Sequence, residues 1–129
     1  MRDAMSEQMV THAAVLEVNT RFYAAFRSGD MTVMGSLWAR EMPVAVHHPS
    51  SGHLSGRTAV LDSWRRILRS PPDVGCVVEN LLEDDDQWAV ICTERLGHIN
   101  LRMVNLFRKE DAAWRISYHG PAPDPGLRC

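Results

Sequence analysis

The chain has 129 residues, 45% of them hydrophobic and 23% charged, with 14 Lys and Arg against 16 Asp and Glu for a formal net charge of -2. That is the size and composition of one globular domain, and its near-neutral balance gives no bulk attraction to nucleic acid or an anionic membrane surface. No apolar run reaches the roughly 18 residues of a membrane span, and Met1 to Gln8 lacks the apolar core of a secretory leader, so a cytoplasmic protein without membrane association is expected.

The first pattern is helical. Val15, Val18, Phe22 and Phe26 recur at spacings of three and four until Gly29 stops them. Asp30 is placed to cap a second, shorter helix whose Met34, Leu37 and Trp38 share one face before Pro43. Pro43 to His48 reads as a strand closed by Pro49, and Ser50-Ser51-Gly52-His53 as a polar loop. Ser55-Gly56-Arg57-Thr58 opens a third helix with an apolar stripe of Val60, Leu61, Trp64, Ile67 and Leu68, ended by Pro71-Pro72. Four strands follow: Val74 to Leu82, Trp88 to Leu96, Ile99 to Arg108 and Trp114 to His119. Their connections fall in the runs Glu83 to Asp86 and Lys109 to Ala112 and in a two-residue turn at Gly97-His98. The domain is expected to span 1–129, with a core from about 10 to 119 and an irregular tail over 120–129 rich in proline.

A turn at Gly97-His98 fixes the central hairpin. It pairs Trp88 with Phe107, Val90 with Asn105, Cys92 with Met103, Glu94 with Leu101 and Leu96 with Ile99, all on one face. Eight of those ten are apolar; the other two are Glu94 and Asn105. A slip of one residue would bring Arg95, Arg102 and Arg108 onto that face, so the apolar pattern selects the register. On the other face Ala89, Leu106, Ile91 and Val104 form an apolar half, to be covered either by a second copy of the chain or by another segment of the same one.

Three helices, an inserted strand and a long antiparallel sheet resemble the α+β, cone-shaped nuclear transport factor 2-like fold. The strings Arg21 to Asp30, His48-Pro49, Ser55 to Trp64 and Trp114 to Ser117 are similar to its SnoaL-like branch. The resemblance implies helices packed on the concave side of a curved sheet around a pocket, with homodimerisation through the outer sheet face. The fold serves isomerases, dehydratases, cyclases and association modules alike, so it does not fix an activity. Set beside the ketosteroid isomerases of this fold, His48 falls at the base position. Phe22 falls where they have an oxyanion tyrosine, and Asn105 where they have a protonated aspartic acid. A donor is missing, which argues against steroid isomerisation, because loss of one costs on the order of 10²–10³ in rate. Tyr23 is no simple substitute, since one residue along a helix is a turn of about 100°.

The resemblance makes His48 the candidate base; the alternative is a histidine bonded to its own loop or facing solvent. Glu94 either has its carboxyl raised by desolvation into the range of a usable acid or base, or is neutralised by an arginine or exposed at the mouth of the cone. Asn105 either orients a ligand or bonds a neighbouring backbone group. Phe22, Tyr23, Trp38, Trp64, Trp88 and Met103 either line a substrate-binding cavity or fill the core. Cys76, Cys92 and Cys129 contain no Cys-x-x-Cys and suit reduced thiols, and the six histidines lack a pair at metal-ligand spacing. No metal and no cofactor are therefore expected. The expected ligand is a small apolar organic molecule, bound either by an isomerase, cyclase or lyase working by proton transfer or by a non-catalytic ligand-binding or association module.

Overall fold

The helical stripe at the start of the chain becomes one long helix, α1 (Ala4–Ser28), whose Val15, Asn19, Phe22, Tyr23 and Phe26 are buried. The computed structural model describes residues 4–49 and 52–123. Gly29 ends α1 with a φ of 72°, and a Cβ there would press on the Leu68 carbonyl and Pro71, so the site needs glycine twice over. Asp30 then caps α2 (Met31–Leu37), its carboxylate accepting from the Val33 N–H at 3.0 Å. Trp38, expected on the face of that helix, lies just beyond it in extended backbone and bridges Ile116. The guanidinium of Arg57 holds the carbonyls that α2 leaves open, donating to Gly35, Trp38 and Ala39 at 2.9–3.0 Å.

Strand β1 (Ala45–His48) is followed by a segment that corrects the expected loop. Gly52 and His53 belong to a strand, β2 (Gly52–Ser55), which pairs antiparallel with β1 and sets His47 opposite His53. Gly52 sits at a φ of 74° and lets the chain double back at once, and four mixed residues carry too little alternation to announce a strand. Ser50 and Ser51 lie outside the described residues. After α3 (Arg57–Leu68) come β3 (Val74–Asp84), β4 (Gln87–Leu96), β5 (Ile99–Glu110) and β6 (Ala113–Pro121). The last strand runs past His119, with Gly120 and Pro121 opposite Val104 and Met103, so the tail expected from 120 begins later. Residues 124–129 of that tail lie outside the described ones.

The six strands form one sheet in the order β2-β1-β6-β5-β4-β3, antiparallel except where β1 runs parallel to β6. The β4–β5 register is the one the apolar pattern selects, from Trp88 opposite Phe107 to Leu96 opposite Ile99. Gly97, at a φ of 62°, begins its turn. Register shifts between Val78 and Asn80 and between Leu106 and Phe107 bend the sheet. Helix α1 lies against β3, β4 and β6, and α3 against β1 and β2. The core between them holds Phe22, Phe26, Trp38, Trp64, Met103 and Phe107. This is the expected α+β architecture of helices on a curved sheet.

Candidate functional site

Inside the cone, polar groups from one helix and three strands meet. Glu94 of β4 is 1% exposed, although its cross-strand neighbours are Leu101 and Cys76. The Tyr23 hydroxyl donates to its Oε1 at 3.0 Å, and His119 Nε2 stands 3.6 Å from the same oxygen. Asn105 of β5 donates through Nδ2 to Asn19 Oδ1 at 2.8 Å and to the Tyr23 hydroxyl at 3.4 Å. Its Oδ1 faces His119 Nδ1 at 2.6 Å. Since an amide oxygen only accepts, Nδ1 carries the His119 proton and Nε2 presents its lone pair toward Glu94.

The electrostatics follow from burial. Desolvation raises the Glu94 carboxyl to about 7, against the opposing effect of the Tyr23 hydrogen bond. His119 is lowered to about 3, first by burial and then by His48. The 3.6 Å contact therefore joins two neutral groups below pH 7 rather than an ion pair. Burial, followed by the neighbouring Glu94 charge, also pushes the Tyr23 phenol well above its ordinary range, so it stays a donor.

His48 belongs to a second, smaller group. Ser63 Oγ donates to the Val60 carbonyl at 2.6 Å, so at 2.9 Å His48 Nε2 donates to that oxygen and Nδ1 is left bare. Burial first, then Arg66 and His47, lower His48 to about 4. Its ring packs on Trp64 at 4.8 Å and lies 6.4 Å from the His119 ring between centroids. Glu94 and Asn105 thus converge through Tyr23 and His119, whereas His48 is joined to them by ring packing and by no direct hydrogen bond.

Phe22, Trp38, Trp64 and Met103 are fully buried, and Phe22 meets Trp64, Tyr23 and His119 at centroid distances of 5.4, 4.9 and 5.1 Å. Trp88 belongs to the same core and has His12 against its ring. It lines an open cleft of about 620 Å³ with Trp114, Met42 and Lys109. A smaller cleft of about 150 Å³ is lined by Asn19, Thr20, Tyr23, Arg27, Cys76 and Val78. His48, Glu94 and Asn105 line neither; Glu94 and Asn105 are one hydrogen bond behind the smaller cleft, through Tyr23 and Asn19.

Two members of the network were not among the sequence candidates. Asn19 carries a readable signal, a lone amide four residues after Val15 on an apolar stripe. His119 does not: counting back from the β5–β6 turn puts Tyr118 opposite Asn105. The register shift, at which Ser117 Oγ donates to the Leu106 carbonyl, puts His119 there instead. Tyr23, expected one step round the helix from Phe22 and so no simple substitute for it, still reaches the polar network. The step of about 100° from Phe22 is real, but α1 is enclosed on both sides. Phe22 packs toward α3 while Tyr23 reaches β4 and β5.

The model of the SnoaL-like domain family matches residues 15–123. A candidate dehydratase of the nuclear transport factor 2-like family from Streptomyces avermitilis is 27% identical, with a TM-score of 0.69 over 87% of this chain and 96% of that one. A candidate calcium/calmodulin-dependent protein kinase type II association domain from Thiobacillus denitrificans is 25% identical, with a TM-score of 0.70 over 82% and 93%. A nuclear transport factor 2-like protein of unknown function from Shewanella oneidensis shares 11% identity and a TM-score of 0.71 over 88% and 99%. No curated protein matches. Among the described residues no helix is long and apolar enough to cross a membrane, and no group of three or more His, Cys, Asp or Glu is arranged to hold a metal ion.

Proposed function

This chain belongs to the SnoaL-like domain family, and from that premise we propose that it binds a small, largely apolar carbonyl compound and moves a proton on it, as an isomerase, cyclase or lyase does. The supporting observation is Glu94: a carboxyl buried in an apolar sheet face, held by Tyr23 and backed by His119, and ionising near neutrality. A general acid or base works best with a pKa near the operating pH, because both protonation states are then accessible. The Glu94 carboxylate takes a proton from the carbon beside the carbonyl and returns it at a new position. The Tyr23 hydroxyl turns its one proton from Glu94 to the oxygen that gains charge, and Asn105 and Asn19 keep Tyr23 and His119 in place. Substrate enters at the cleft beside Asn19, Tyr23 and Cys76, in a cytoplasmic homodimer joined through the outer sheet face. The 27% identical candidate dehydratase agrees with chemistry of this kind.

The experiment is conversion of a panel of small β,γ-unsaturated and β-hydroxy ketones, followed by absorbance of the enone product. Wild type is expected to convert at least one, with a rate that rises through about pH 7, and Glu94→Gln to lose activity by a factor on the order of 10² or more. Equal conversion by Glu94→Gln would end the proton-transfer reading.

A second reading has its own support. The interior is filled by Phe22, Trp38 and Trp64, and one similar structure is a candidate association domain. As a non-catalytic association module the chain would convert none of the panel and would bind a partner or a second copy through its surface.

A further inference from the structure

Cys76 of β3 and Cys92 of β4 lie on the concave side of the sheet, two residues off a direct pair, Cys76 opposite Glu94 and Cys92 opposite Val78. The two side chains are diagonal neighbours on that face, close enough for each thiol to shift the other's pKa. The Asn19 amide donates to Cys76 Sγ at 3.8 Å, and the Tyr23 hydroxyl lies 3.5 Å from Cys92 Sγ. The two sulfurs differ in access: Cys92 is fully buried, while Cys76 is half-buried and lines the 150 Å³ cleft with Thr20 and Arg27. One thiol thus faces the entrance with the Asn19 amide directed at its sulfur, and the second stands behind it, fully buried.

We propose that Cys76 is a modification site for small peroxides and that Cys92 is its resolving partner. The Cys76 thiolate attacks one oxygen of hydrogen peroxide. An S–O bond forms, the O–O bond breaks, and hydroxide leaves and takes up a proton to become water, so that sulfur is oxidised to sulfenic acid and peroxide is reduced. The Cys92 sulfur then attacks the Cys76 sulfur. The S–S bond forms, the S–O bond breaks, and the departing hydroxide takes the Cys92 proton as water. The neighbouring Cys92 thiol first, then the Asn19 amide and the Tyr23 hydroxyl, favour the Cys76 thiolate and lower its pKa against the opposing effect of burial. Cys76 first, and then burial, hold the Cys92 thiol protonated. Oxidation of Cys76 removes that charge and frees Cys92 for the second step, in which the two side chains rotate and the strand backbones draw together to bring the sulfurs to bonding distance.

The full-length protein, treated with one equivalent of hydrogen peroxide at pH 7 and digested with trypsin, tests this, because the fragment 70–95 carries both cysteines. The expected product is that fragment lighter by about 2 Da and closed to alkylation, formed about tenfold faster than free cysteine oxidises under the same conditions. Cys92→Ala is expected to stop at a sulfenic acid on Cys76 trapped by dimedone, and Cys76→Ser to leave Cys92 unmodified. Oxidation no faster than free cysteine would overturn the proposal. So would modification of Cys92 in Cys76→Ser, or a Cys76 sulfenic acid that persists in wild type with Cys92 intact. Each readout is the mass of a fragment from a chain oxidised while folded, and is independent of any activity assigned to Glu94.

Discussion

His119 Nε2 faces the Glu94 carboxyl at 3.6 Å with its lone pair, because the Nδ1 proton is committed to Asn105. Neither group is charged below neutrality: burial holds the histidine at about 3 and the carboxyl at about 7. The pair is a proton donor and a vacant acceptor enclosed in aromatic rings, and its consequences can be measured as stability.

For His48 and His119 the unfolded state binds more protons than the folded one between their lowered values, about 4 and about 3, and an ordinary 6.5. Their contribution to stability therefore rises with pH over that window. Glu94 acts in the opposite sense: from about 4.5 to about 7 the folded state keeps a proton that the unfolded state has lost, so its contribution falls. Urea unfolding should show wild-type stability climbing from pH 4 to 6.5, with the two histidines outweighing the one carboxyl, and flattening above 7. In Glu94→Gln the climb between pH 4.5 and 7 should be steeper, with a gain relative to wild type on the order of 3 kcal/mol across the window. Parallel profiles would show that Glu94 titrates normally.

Asn105→Ala leaves Asn19 Oδ1 and the His119 Nδ1 proton without their partner inside the core. A buried group stripped of its hydrogen bond costs about 1–3 kcal/mol, and two are stripped here. A loss of roughly 2–5 kcal/mol in chemical denaturation is expected. A change below about 1 kcal/mol would mean that the network relaxes around the gap.

Tyr23→Phe removes the one hydrogen bond that favours the Glu94 carboxylate. The Glu94 midpoint should move above about 7, and proton-transfer activity should fall while its pH profile shifts upward. An activity loss with an unshifted profile would make Tyr23 a packing residue.

Ile91 and Val104 are only 8% exposed on the outer sheet face, but Leu82 beside them is 47% exposed. In a dimer through this face, Ile91→Asp buries a charge without a partner, and sedimentation should report half the wild-type mass. An unchanged mass would place the contact elsewhere or show that wild type is a monomer.

The parts of the fold legible in the sequence are those in which one residue has one consequence. Asp30 is an N-cap and becomes one; Gly97 permits one turn, and that turn fixes which side chains share a face from Trp88 to Phe107. Glu94 and Asn105 could be read as neighbours on an apolar face because strand alternation is strict. The illegible parts depend on irregularity or enclosure. One bulge at Ser117 exchanges Tyr118 for His119 opposite Asn105, and no local pattern announces it. Tyr23 turns inward because α1 is covered on two sides, a fact of packing that the spacing of one helix does not contain.

The proton-transfer role proposed for Glu94 needs a carboxyl tuned to neutrality, and its own titration reads this out. Carbon NMR of the side-chain carboxyl, assigned by its loss in Glu94→Gln, should give a midpoint near 7 in the folded protein. A midpoint near the ordinary 4.5 would contradict that role, because the carboxyl would then be solvated or paired and could not act as an acid and base poised at neutral pH.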